Sequence, residues 1–246
     1  MQYIFDTFFY EPIFNALVYL YDTIPGSDLA LAIIVLTIAL RALMWPLSKK
    51  SFVAQRELAD LQPKQAELRE KYKDNREKLM QETMKLYQEH KVNPLSSCLP
   101  ILIQLPFLLA LYWSLRNIAD PASLSVLYSF VPHPGTISSE GLFGLLDLSQ
   151  SSYVLAALAG AAQFWQGWML AKRRPPVKTE GSKDEDFGAI LNQQMMYVMP
   201  IVTVVIALQF PSGLALYWFL STFLMAGQQW YHFHVFGSSK ESKVVA

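Results

Sequence analysis

Apolar positions gather into five stretches of this chain: Leu29–Leu47, Leu95–Leu115, Tyr153–Ala171, Met195–Phe210 and Leu214–Val235. A helix of about 20 apolar residues crosses a bilayer, so each is read as a span. The fourth is short, and Pro211-Ser212-Gly213 leaves only a tight turn between it and the fifth, which predicts an antiparallel pair. The opening stretch FDTFFYEPIFNALVYLYDTIPG is apolar enough for a sixth span, but Asp6, Glu11, Pro12 and Asn15 interrupt it and no basic residue precedes it. Residues 1–27 are therefore read as an amphipathic helix on the outer membrane surface, aromatic face toward lipid. The core then occupies residues 28–236, with a short tail at 237–246.

Between the first two spans the pattern changes. Leu58, Leu61, Leu68 and Tyr72 fall near one helical face, and Leu79, Met80, Met84 and Tyr87 repeat the spacing. Lys73-Asp74-Asn75 supplies a turn between them, Asn93-Pro94 ends the second segment, and Pro63 fits a helix start or a kink. Residues 48–92 should thus form a two-helix hairpin. The loop 118–152 is polar and rich in turn residues, except that residues 141–146 are apolar enough to dip into the membrane interface. The fold class is all-α: a polytopic membrane protein with five transmembrane helices and a cytoplasmic two-helix hairpin.

Charge orients these elements. Of the 20 Lys and Arg, eleven lie in 48–92, five in the loop 172–192 and two in the tail, while residues 1–28 and 118–152 have none. Positively charged loops stay in the cytoplasm, which puts the N-terminus outside and the C-terminus inside. Composition agrees, at 52% hydrophobic and 16% charged. The segment before the first span has no basic leading region for a cleavable signal and no Arg- and Ser-rich transit pattern, so a bacterial cytoplasmic membrane is expected.

Arg41 stands inside the first span, in its inner half. A guanidinium at mid-membrane costs roughly 2.5 kcal/mol or more, so it faces water or a partner unless its side chain snorkels to the headgroups. Gln104 lies near mid-depth of the second span, Gln163 and Gln166 in the inner half of the third, and Gln228 and Gln229 toward the inner end of the fifth. Such side chains either line one hydrated cavity open to the cytoplasm or bond helix to helix. No Asp or Glu lies within a span, which leaves Arg41 without an acidic partner. Pro100, Pro106 and Pro200 suit kinked, loosely packed helices.

Other chemistry is not apparent. There is no phosphate-cradling loop, no nucleophile elbow and no His-Glu-x-x-His pattern, and no cofactor or metal is expected. Cys98, the one cysteine, reads as a packing residue. His232 and His234 read as interfacial side chains beside Trp230 and Tyr231. The chain is not expected to be an enzyme, and no direct nucleic-acid site is evident.

The run from Arg41 through Pro46, the stretches LQPKQAELREKYKDN and MKLYQEHKVNPLSSCLPILIQLPFLLALYWSL, and FPSGLALYWFLSTFLMAGQQW at 210–230 closely resemble the YidC/Oxa/Alb family of membrane protein insertases. The resemblance implies five helices around a hydrophilic groove open to the cytoplasm and the lipid. It also implies that Arg41 draws acidic or polar parts of a nascent chain inward, and that Gln166 and Trp218 contact substrate. The hairpin would be the family's cytoplasmic hairpin, which receives substrates. Physically, a hydrated groove beside a thinned bilayer shortens the dry path of a polar tail.

The resemblance further implies a short form, without the added N-terminal span and periplasmic domain of Gram-negative members or the lipoprotein signal of Gram-positive ones. The short tail carries no ribosome-binding extension, which would leave ribosome contact to the hairpin or to Lys172–Arg174. The expected function is an insertase and chaperone that needs no nucleotide hydrolysis. Its partners would be nascent membrane proteins and the lipid bilayer, together with the ribosome, the signal recognition pathway and the Sec translocon. A small-anion carrier or channel with Arg41 as its anion site is the alternative. It predicts paired repeats, and none is present.

Overall fold

Helix formation follows the apolar stretches closely, with breaks where proline or a polar turn interrupts the backbone ladder. The computed structural model describes residues 2–93, 99–118, 120–172 and 194–235. Helix α1 (Gln2–Phe5) passes through a π-helical turn (Asp6–Tyr10) into α2 (Glu11–Thr23). There follow α3 (Leu29–Leu43), α4 (Trp45–Asp60), α5 (Gln62–Lys71), α6 (Arg76–Glu89) and α7 (Leu99–Asn117). A 3-10 turn (Pro121–Val126) and a two-stranded ribbon, β1 (Glu140–Gly141) with β2 (Leu146–Asp147), precede α8 (Tyr153–Lys172). A second π-helical turn (Gln194–Val198) then leads into α9 (Met199–Ala207), and α10 (Ser212–Val235) closes the described chain.

The first apolar stretch is not one straight helix to Leu47. It stops at Leu43, and α4 departs at 61°. Pro46 accounts for the break: it has no N–H to bond the carbonyl four residues earlier, and its ring crowds that carbonyl. No single described helix is both long and apolar enough to cross a membrane, although α3 and α4 pass together as a bent pair. At 1.5 Å per residue α3 is only about 22 Å long.

Helix α10 is the spine, packed against α8, α3 and α7, while α9 packs mainly on α8. Gly160 permits the α8–α9 contact, since a Cβ there would strike Val204 and sit 3.2 Å from the Pro200 carbonyl. The core gathers Leu29, Ile33 and Leu36 of α3, Ala110 and Leu111 of α7, and Leu214 and Tyr217 of α10. The amphipathic N-terminal segment adds to this core. Phe14, Leu17, Val18 and Tyr21 of α2 turn onto it rather than toward lipid, whereas Tyr3, Ile4, Phe8 and Tyr19 remain exposed.

The outward faces of the bundle are also apolar. Leu102, Leu105, Leu109 and Trp113 form an exposed stripe on α7, and Ile201, Val202 and Val205 are exposed on α9. Apolar side chains both inside and outside fit a bundle surrounded by lipid. Helices α5 and α6 differ: they are mostly charged and pack together around a small cluster of Leu61, Leu86 and Val92, supported by Leu58 at the end of α4, Leu68 and Tyr87. Residues 94–98, including Cys98, most of the loop 172–192, and the tail lie outside the described residues.

Candidate functional site

Helix periodicity puts Arg41 inside. Leu29, Ile33, Thr37 and Arg41 are spaced four apart, share one face of α3, and are all buried against the bundle. Val35, Ile38 and Leu43 face outward. Thr37 bonds the Ile33 carbonyl with its own hydroxyl at 2.6 Å and so asks nothing of its neighbours. Arg41, 6% exposed, is the one charged side chain on this face.

Its partners are neutral. Arg41 Nε donates to Ser221 Oγ at 3.0 Å, and Nη2 donates to Gln104 Oε1 at 3.0 Å and to Ser221 Oγ. Gln104 Nε2 donates in turn to Ser221 Oγ at 2.8 Å and to the Tyr217 hydroxyl. Four side chains from α3, α7 and α10, Arg41 among them, thus form one hydrogen-bonded ring. A guanidinium has five N–H donors. Those on Nη1 bond no described residue, and no described carboxylate pairs with Arg41. Among the described residues, the charge is therefore held but not cancelled.

Of the residues expected at the site, Arg41 and Gln104 come together. Gln163 and Gln166 are half-buried on α8 and outside the ring, and neither hydrogen-bonds another described residue. Trp218 is half-buried one position beyond Tyr217, about 100° around α10, so the two cannot face Arg41 together. Ser221 and Tyr217 were not anticipated. Their four-residue spacing on the fifth apolar stretch was the available signal, because a serine one turn from a tyrosine on the buried face of a span needs a polar neighbour. Two surface cavities lie elsewhere: about 330 Å³ between α5 and α6, lined by Lys64, Glu67, Lys71, Lys85 and others, and about 390 Å³ by Phe5, Asp6, Tyr10, Trp113 and Asn117.

A second polar layer lies two helical turns further along α10. Gln229, fully buried, donates through Nε2 to Gln55 Oε1 at 2.9 Å, and Gln55 reaches the Ser51 hydroxyl at 3.4 Å. His232, expected as an interfacial side chain, is buried within the protein: it is 3% exposed, with its ring 6.0 Å from that of Phe52. The bend at Met44 is what brings α4 back against α10 here. His234 is exposed beside Trp230.

Fold and ring together define a class, a helical membrane protein with a cation in its interior that pairs with no described carboxylate. The chain matches the family model described as 60Kd inner membrane protein over residues 19–239, and it belongs to that family of inner-membrane proteins. It is similar to a membrane protein insertase YidC of Lawsonia intracellularis, 35% identical over 223 residues, which are 90% of this chain and 38% of that protein. A YidC of Haemophilus influenzae strain PittEE is 34% identical over 90% of this chain and 36% of its own length. One from Fusobacterium nucleatum is 34% identical over 83% of this chain and 86% of its own. The chain thus spans little more than a third of the first two relatives and most of the third.

Proposed function

We propose that this chain is an insertase and chaperone that takes nascent membrane proteins from the cytoplasm and releases their hydrophobic segments into the bilayer. The observation that carries the reading is the Arg41 ring: a buried guanidinium held by neutral partners, with N–H donors on Nη1 that no described residue accepts. An acidic or polar tail supplies what the ring lacks, an acceptor of opposite sign. Gln104, half-buried, is the movable member. When it yields, Arg41 bonds the tail, and burial of the following apolar segment in lipid draws the tail onward.

The remaining elements take places around this site. Helices α3, α7, α8, α9 and α10 are the five spans around a hydrophilic groove, with the N-terminus outside and the C-terminus in the cytoplasm. Helices α5 and α6 are the cytoplasmic hairpin that meets incoming chains, the ribosome or the Sec translocon. Gln163, Gln166 and Trp218 line the substrate path beyond the ring. No step requires nucleotide hydrolysis.

The test is crosslinking from a photoreactive residue at Gln166 during insertion of a stalled single-span chain with an acidic tail, in wild type and Arg41→Glu. Crosslinks that weaken in the variant support the reading. Intact insertion with no crosslink at Gln166 removes the groove as the route. Saturable small-anion flux in liposomes that Arg41→Ala abolishes would favour a carrier instead.

A further inference from the structure

The turn between β1 and β2 has three consecutive residues in the left-handed region, Leu142 at φ 51°, Phe143 at 60° and Gly144 at 85°. Only the glycine adopts that conformation freely, so two side-chain-bearing residues are held there by their surroundings. The restraint is visible. Asp28 Oδ2 accepts the Phe143 N–H at 2.8 Å, while Oδ1 of the same carboxylate accepts the Leu31 N–H at 3.0 Å and caps α3. Gly141 seats the ribbon directly on the first turn of α3, since a Cβ there would lie 3.0 Å from the Ala30 nitrogen.

The turn divides its side chains. Leu142 and Leu146 pack inward on the core, whereas Phe143 is 81% exposed and Leu145 87%. A strained backbone that points two large apolar side chains away from the protein calls for something to receive them. The level of the turn says what. It hangs from Asp28, the residue before the first span, and α8 begins a few residues later with Tyr153 and Val154, 78% and 69% exposed. The turn therefore stands where two membrane helices enter, continuous with the apolar outer faces of the bundle.

We infer that Phe143 and Leu145 form a fixed prong inserted among the acyl chains at the lipid–water interface, on the side of the bilayer where α3 begins. The inference rests on the reading of α3 and α8 as membrane spans, and it adds a lipid-binding element that the insertion mechanism does not need. The prong is preordered by Asp28 and Gly141, so its insertion requires no refolding of the loop.

The test places a nitroxide at Phe143→Cys or Leu145→Cys in a Cys98→Ser background, with the whole chain in vesicles of phosphatidylethanolamine and phosphatidylglycerol. Collision with oxygen, which enters lipid, is compared with collision by a water-soluble nickel chelate. Val205→Cys on the exposed face of α9 serves as the lipid reference and Thr136→Cys as the water reference. Prong labels should follow Val205, with oxygen contact several-fold above nickel contact. Gly141→Val, which lifts the ribbon off Ala30, should raise nickel access at Leu145 and leave Val205 unchanged. Prong labels that follow Thr136 while Val205 stays in lipid overturn the inference alone. A Val205 label that behaves as Thr136 does overturns the membrane reading and the prong together.

Discussion

Ser221 Oγ receives three donors, Arg41 Nε, Arg41 Nη2 and Gln104 Nε2, although a hydroxyl has two lone pairs. Its removal strands donors in an apolar bundle. Ser221→Ala should destabilise the protein by about 1–2 kcal/mol, measured by unfolding in detergent. On the proposed insertase reading, Arg41→Lys should keep only part of the wild-type insertion, because an ammonium is a point charge and cannot span Ser221 and Gln104 as a planar fork does. On the proposed reading, Asp28 lies just outside the first span. Burial raises its carboxyl, but hydrogen bonds from the backbone N–H groups of Phe143, Leu31, Leu142 and Ala30 outweigh that and hold it below its ordinary 3.8. A carboxylate lowered on folding stabilises fully above the unfolded value and less as pH falls through the folded one. Asp28→Asn should therefore cost about 1–2 kcal/mol at neutral pH. Melting curves of the two proteins should converge below pH 3.8, where the protonated acid resembles the amide.

At the scale of elements, α9 is nine residues long and depends on α8. Gly160→Val should push the pair apart at Val204 and cost about 1–3 kcal/mol, or more if α9 detaches. Thermal unfolding would measure it, with Ala157→Val on the exposed face of α8 as the control. Order and approximate bounds of α3, α7, α8 and α10 could be read from hydropathy, because each is a run of apolar residues ended by a turn. The break at Met44 could not, since apolarity continues through Trp45 and Leu47 while the backbone ladder fails at Pro46. The buried place of His232 was equally hidden: it depends on α4 folding back, a long-range contact that local pattern does not encode. Arg41 and Gln104 stood out as polar residues in apolar runs. Ser221 is small enough to pass unnoticed in one.

At the scale of the molecule, α10 carries both polar layers, Tyr217 with Ser221 and then Gln229, and so links the Arg41 ring to α4. Gln55→Leu and Gln229→Leu, singly and together, should give a coupling of about 0.6 kcal/mol, at most about 1.7, in a double-mutant cycle. A coupling near zero would mean that α4 docks through Phe52 packing alone.

The Asp28 carboxylate has one more consequence. Because it joins the β1–β2 turn to the first turn of α3, and α3 is unbroken to Leu43, Arg41 hangs at a fixed drop of about 20 Å below Asp28. With α3 as the proposed first span, that drop reaches about two-thirds of the way across a hydrocarbon core of about 30 Å. A thicker bilayer held at the same outer level moves the guanidinium toward the dry centre, and a thinner one brings the opposite headgroups to it. On that reading, membrane thickness becomes a dial on the strength of one buried charge.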